Sequence, residues 1–319
     1  MQRHKVIRTV KLITAILAWG FLCYKILTFQ HWNTLSLFTL NVQQIVLLLL
    51  VILLMPLNIF LESWHWKFSV SGVTYIQFHT ALKIVLGSLI PAMVTPMKIG
   101  EWPGRASFFS PELRKEVTAA ATLAGIVKTV SLSLFGTLSL IIIFTSGHQF
   151  RPTTIVTGLT ILFFLTLLFL WSGSLFKRIL NHKFFRQSAS EIRVDWLKGK
   201  FRIKSLGIAG LRTLVFYAQF ALMIHIVLPD ASLLQYALWI PVYFMILTFI
   251  PAFSLADPAL RGSVAIVLFS GITGDAALIG IAGMMLWFIN NLLPLISGTV
   301  VWFRKPSFSY QAVRKPNSY

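Results

Sequence analysis

The chain has 319 residues, 56% of them hydrophobic and 12% charged, with 28 Lys and Arg against 9 Asp and Glu for a net charge of +19. A soluble domain carries charge on about a quarter of its residues, so this composition excludes an ordinary globular enzyme and indicates an all-α polytopic membrane protein. The cations stand in short loops beside apolar runs, where they orient spans and meet anionic membrane lipids; nucleic acid is not expected as a partner.

Four cations in MQRHKVIRTVK precede the first apolar run, 12–29, and hold the N-terminus in the cytoplasm. No small-residue cleavage site closes that run, so it is expected to stay as a helix. It contains Cys23, the single cysteine, which excludes an intrachain disulfide and a cysteine metal cluster. A second helix, 42–61, holds Pro56 and is expected to end in ESWHWKF, 62–68, an aromatic belt at headgroup level.

The stretch 90–109, IPAMVTPMKIGEWPGRASFF, then breaks the apolar pattern with Pro91, Pro96, Pro103, two glycines and three charged residues. Ser110 and Pro111 read as the start of a long helix, 117–144, with Lys128 well inside it. A span at 155–171 follows, and then the interval 177–204, with nine cations against Glu191 and Asp195. That interval lies in a basic cytoplasmic connector, 172–204. The second half reads as a span at 206–228 with Arg212 near its start, an arm at 233–250, a broken stretch, an arm at 261–271 and a last span, 276–303. The broken stretch, 250–269, opens on IPA again and carries Pro251, Asp257, Pro258 and Arg261. The tail, 304–319, is basic and expected in the cytoplasm.

Counting every apolar segment as a crossing would put the basic connector outside, against the loop-charge rule. Six full crossings plus two re-entrant helical hairpins, at 78–109 and 233–271, satisfy each charge cue; eight full crossings is the alternative. The whole chain is then one transmembrane domain, with half-repeats 42–144 and 206–303 in opposite orientations. Inverted repeats of this kind bring two broken segments together near the midplane.

Glu101 is the sharpest candidate, since it lies in a broken membrane segment between Lys98 and Arg105. Arg105, four residues on, shares its helical face; the pair either holds the hairpin together or serves a polar headgroup, for whose phosphate the planar fork of Arg105 is suited. Lys98 and the N–H groups around Gly100 would complete an anion site at a helix start. Lys128 should point at the bundle interior or at an acid, the available ones being Glu101, Asp257 and Glu116. Asp257 and Arg261 repeat the four-residue spacing. Lys83 and Arg212 are read as snorkelling cations, Asp275 as a cap, and Asn290 and Asn291 as satisfying backbone near Pro294 or lining a cavity. The sequence contains no P-loop, GxSxG, GxGxxG or HExxH, so no catalytic residue, cofactor or metal is assigned.

The stretches TPMKIGEWPGRASFF and LADPALRGSVAIVLFSGITGD resemble the flippase-like transmembrane domain of the lysylphosphatidylglycerol synthase family. Pro96, Gly100, Glu101 and Arg105 match the first family motif. In the second, Pro251 and Arg261 stand in place, while Gly262 occupies a position where the family usually has glutamate. The resemblance implies a stand-alone member without the cytosolic aminoacyltransferase domain, so lipid aminoacylation by this chain alone is not expected. It implies an inner-membrane protein that translocates a phospholipid or other anionic lipid between leaflets. The alternative is a non-catalytic partner or regulatory subunit of a lipid- or envelope-synthesis enzyme.

Overall fold

The computed structural model describes residues 41–145, 199–230, 232–252 and 256–304. The expected helix 12–29 with Cys23, the span 155–171, most of the connector and the tail beyond Arg304 lie outside the described residues. Among the described residues the fold is all-helical, with no strand. Four helical stretches are long and apolar enough to cross a membrane: Val42–Val70, Pro111–Thr145, Gly199–Val227 and Ala276–Phe303. The chain is thus a helical membrane protein.

Helix α1 (Val42–Val70) starts on a capping box: Gln44 N donates to Asn41 Oδ1 at 2.8 Å and Asn41 N to Gln44 Oε1 at 3.0 Å. The helix does not end near Leu61. It runs through the expected aromatic belt, because Glu62, His65 and Trp66 are buried against other helices and need no headgroup region. Helix α2 (Phe78–Met93) continues through Pro91, which falls in its last turn. The carbonyls freed there are taken up by Thr95, whose Oγ1 donates to Pro91 O at 3.0 Å and Ala92 O at 3.2 Å. The break proper is 94–100, including a 3₁₀ turn, Pro96–Lys98. Helix α3 (Glu101–Ala106) is short and contains Pro103 within its opening turn, a place where a proline starts a helix rather than breaking one. Pro111–Leu113 forms a 3₁₀ turn with Pro111 first, leading into α4 (Arg114–Thr145).

Helix α5 (Gly199–Val227) begins inside the expected connector, so 199–204 are its first turns. The arm 233–250 is divided at Leu238 into α6 (Leu233–Ala237) and α7 (Trp239–Phe249). Pro251 lies in the second break, and Pro258 opens α8 (Asp257–Phe269). The last span is α9 (Ala276–Trp287), a π-helical turn (Phe288–Leu292) and α10 (Leu293–Phe303). Asp275 does occupy the N-cap position of α9, yet its side chain makes no capping bond; its N–H donates to Thr273 Oγ1 at 3.1 Å.

Cross-contacts fix the helix directions. Gln44 Nε2 donates to Ile226 O at 2.9 Å, while His65 Nε2 meets Ser205 Oγ at 2.8 Å, so α1 and α5 are antiparallel. Ser131 meets Thr213 at 3.2 Å and Phe135 packs on Tyr217, so α4 runs parallel to α5. Both interrupted segments turn back on themselves. Phe108 and Phe109, beyond the first break, share a buried cluster with Trp66, Val70 and Ile76 at the starting end. Tyr236, before the second break, packs against Phe269 at the end of α8, with ring centroids 5.9 Å apart. The bases of the two interrupted segments therefore lie toward opposite ends of the α1–α5 pair, and their breaks touch: Met97 N–H donates to Ala252 C=O at 2.9 Å.

Candidate functional site

Polar residues on α1 recur at Asn58, Glu62, His65 and Ser69, a spacing that puts them on one helical face. All four are buried. Opposite them α5 presents Ser205, Arg212 and Gln219, one every second turn. The antiparallel pairing yields a ladder: His65 with Ser205, Glu62 with Arg212, Asn58 with Gln219. Asn290 joins the last rung, donating to Gln219 Oε1 at 3.0 Å, and Gln219 Nε2 donates to Val51 O at 2.9 Å.

Glu62 is the hub of the charges. Its Oε1 accepts from Arg105 Nη2 and from Lys128 Nζ at 3.0 Å, and its Oε2 pairs with Arg212 Nη1 at 3.1 Å. Glu101 shares two of these cations, accepting from Arg105 and lying 3.4 Å from Lys128. Arg105 also lies over the Trp66 ring, 4.8 Å from its centroid, and Arg212 over Phe216 at 4.9 Å. Glu101 is the first residue of α3, where a carboxylate meets the positive end of the helix dipole, with Arg105 one turn on.

The second break repeats this arrangement. Asp257 is the first residue of α8, and Arg261 Nε donates to its Oδ1 at 3.0 Å. Trp287 Nε1 donates to Asp257 Oδ2 at 2.6 Å, and Tyr243 OH to Arg261 O at 3.2 Å. Asn291 Nδ2 donates to Trp287 O at 2.9 Å, using a carbonyl beside the π turn, and Asn291 Oδ1 accepts from Lys98 Nζ at 2.5 Å. Lys98 thus reaches from the first break to the second set of charges. Met97 and Lys98 both adopt positive φ, 51° and 55°, a conformation that costs about 1–2 kcal/mol per non-glycine residue.

The structure brings Glu101, Arg105 and Lys128 together, and Lys98 to the Asp257–Arg261 side. Two expectations change. Gly100 N–H donates to Thr95 Oγ1 at 2.7 Å, so that donor is already taken. Gly100 is required for a different reason: a Cβ would strike Pro91 O. Arg105 is closed rather than open, because two carboxylates hold its Nη2 and it is buried. The sequence reading missed Glu62 and Arg212, placing the first at headgroup level and the second as a snorkelling cation. Lys83 is exposed. Among the described residues no group of three or more His, Cys, Asp or Glu could hold a metal. No protein-family model, no curated protein and no solved structure matches the chain, so its class rests on the fold and the charges alone.

Proposed function

We propose that this protein is a flippase-like carrier that binds an anionic lipid headgroup among Lys98, Glu101, Lys128, Arg212 and Arg261 and moves it between leaflets. One observation carries the reading: two interrupted helical segments touch at their breaks, each break followed by a helix that opens on an acid with an arginine one turn later. Backbone broken at such depth needs burial or a water-lined cavity, and transporter sites use it this way. On this reading the hairpins are re-entrant, the halves form an inverted repeat and both termini face the cytoplasm across the inner membrane. The chain is then a stand-alone relative of the transmembrane domain of lysylphosphatidylglycerol synthases. Purified protein in liposomes should speed the exchange of fluorescent anionic lipids between leaflets. Rates equal to those of empty vesicles across anionic lipids overturn the proposal.

A second reading is favoured by the closure of Arg105. If the charges only hold the hairpins in place, the chain serves as a non-catalytic membrane partner of a lipid- or envelope-synthesis enzyme. It would then leave lipid exchange unchanged while raising the activity of a co-reconstituted enzyme.

A further inference from the structure

Acids and cations are not evenly placed across the two sets of charges. The deepest carboxylates, Glu62 and Asp257, have side chains 6% and 9% exposed, whereas Lys128, Arg261 and Arg212 reach 20%, 23% and 24%. Lys98 is half-buried, and only Arg105 among the cations is sealed. Three carboxylates (Glu62, Glu101, Asp257) thus stand against five cations (Lys98, Arg105, Lys128, Arg212, Arg261), an excess of two positive charges; among the acids only Glu101, at 18%, is as open as Lys128. Arg105 Nε and Arg212 Nε are also buried without a hydrogen-bond partner among the described residues.

An unmatched charge is expensive inside a membrane protein, so the occupant that balances this site carries two negative charges. A phosphate monoester carries about −1.5 to −2 at pH 7. A phosphodiester lipid carries one, a choline headgroup nets to none, and an aminoacyl ester adds an ammonium that the cations repel. The residues flanking Lys98 favour a lipid over a free ion: Val94, Met97 and Ile99 are exposed apolar side chains on the same break. Resting on the proposed anionic-headgroup site, we infer that it selects lipid phosphomonoesters over phosphodiester and aminoacylated lipids.

The test is thermal stabilisation of the full chain in neutral detergent by dihexanoyl phosphatidic acid, phosphatidylglycerol or phosphatidylcholine, or by inorganic phosphate. Phosphatidic acid should act at a concentration about tenfold lower than phosphatidylglycerol, a difference of about 1.4 kcal/mol, and phosphatidylcholine should have no effect. Lys98→Gln lowers the excess charge to one and should bring that ratio close to unity, while Lys98→Arg keeps it. The ratio is measured on folded protein, so a general loss of stability does not disguise it. Equal potency of phosphatidic acid and phosphatidylglycerol in the native chain overturns the selectivity and leaves the anionic-headgroup reading standing. Absence of any shift with either overturns both. Inorganic phosphate as potent as phosphatidic acid overturns the claim that the ligand is a lipid.

Discussion

Replacing Glu62 with Gln removes the hub of the charge cluster. Arg105 then keeps Glu101, Lys128 keeps Glu101 at 3.4 Å, and Arg212 is left with its stacking on Phe216. Breaking a buried ion pair costs about 3–5 kcal/mol. Lys128 and Arg212 are partly open to solvent, which places Glu62→Gln at the lower end, about 3 kcal/mol. Glu101→Gln removes the more exposed acid and leaves Glu62 to all three cations, for about 1 kcal/mol. Melting of purified protein in detergent, followed by tryptophan fluorescence, separates the two. At about 2–4 °C per kcal/mol, Glu62→Gln should lower the midpoint by about 6–12 °C and Glu101→Gln by about 2–4 °C. A larger loss for Glu101→Gln, or an unchanged midpoint for Glu62→Gln, would refute the assignment of Glu62 as the hub.

Gln219→Ala removes the acceptor that buried Asn58 and half-buried Asn290 share, leaving them only their long contact at 3.5 Å, and should cost about 2 kcal/mol in the same melting experiment. Gly298→Ala places a Cβ against Leu86 O, where backbone cannot give way; prising α10 from α2 should cost about 1–3 kcal/mol, again read as a lower midpoint. Met97→Gly removes the positive-φ penalty and loses only an exposed side chain, so it should raise the midpoint by an amount worth about 0.5–1 kcal/mol. With Cys23 replaced by Ser, the pair Met97→Cys and Ala252→Cys should form a disulfide on mild oxidation, seen as a mobility shift of the protease-nicked chain, since a backbone hydrogen bond joins the two residues.

The all-helical fold and the two interrupted segments were readable because proline, glycine and charge stand out against an apolar background. The Glu101–Arg105 and Asp257–Arg261 pairs followed from four-residue spacing alone. Glu62 was hidden by its neighbours: Trp64 and Trp66 look like interfacial anchors, although only Trp64 is exposed and Trp66 lies beneath Arg105. The signal that would have found it is the run Asn58, Glu62, His65, Ser69 on a single helical face, matched by Ser205, Arg212 and Gln219 at seven-residue intervals. Reading either helix alone leaves these as scattered polar residues; only their antiparallel pairing makes each the other's partner. The fate of Arg105 was equally unreadable, because a second carboxylate, 43 residues away in sequence, decides whether its guanidinium is free.

The ladder between α1 and α5 also divides the bundle by polarity along its length. Its charged and amide rungs end at Gln219, and beyond lie Phe220 stacked on Tyr243 at 4.7 Å, with Met223, Ile224 and Phe269 packed around them. From Gln219 to Val227, the end of α5, is about 12 Å at 1.5 Å per residue, and rings and aliphatic chains pack along it. If the chain carries lipid as proposed, its grip and its barrier lie in different places. Charge substitutions around Glu62 should change how tightly a headgroup is held, while the speed of passage is governed by how readily Phe220, Tyr243 and Phe269 part.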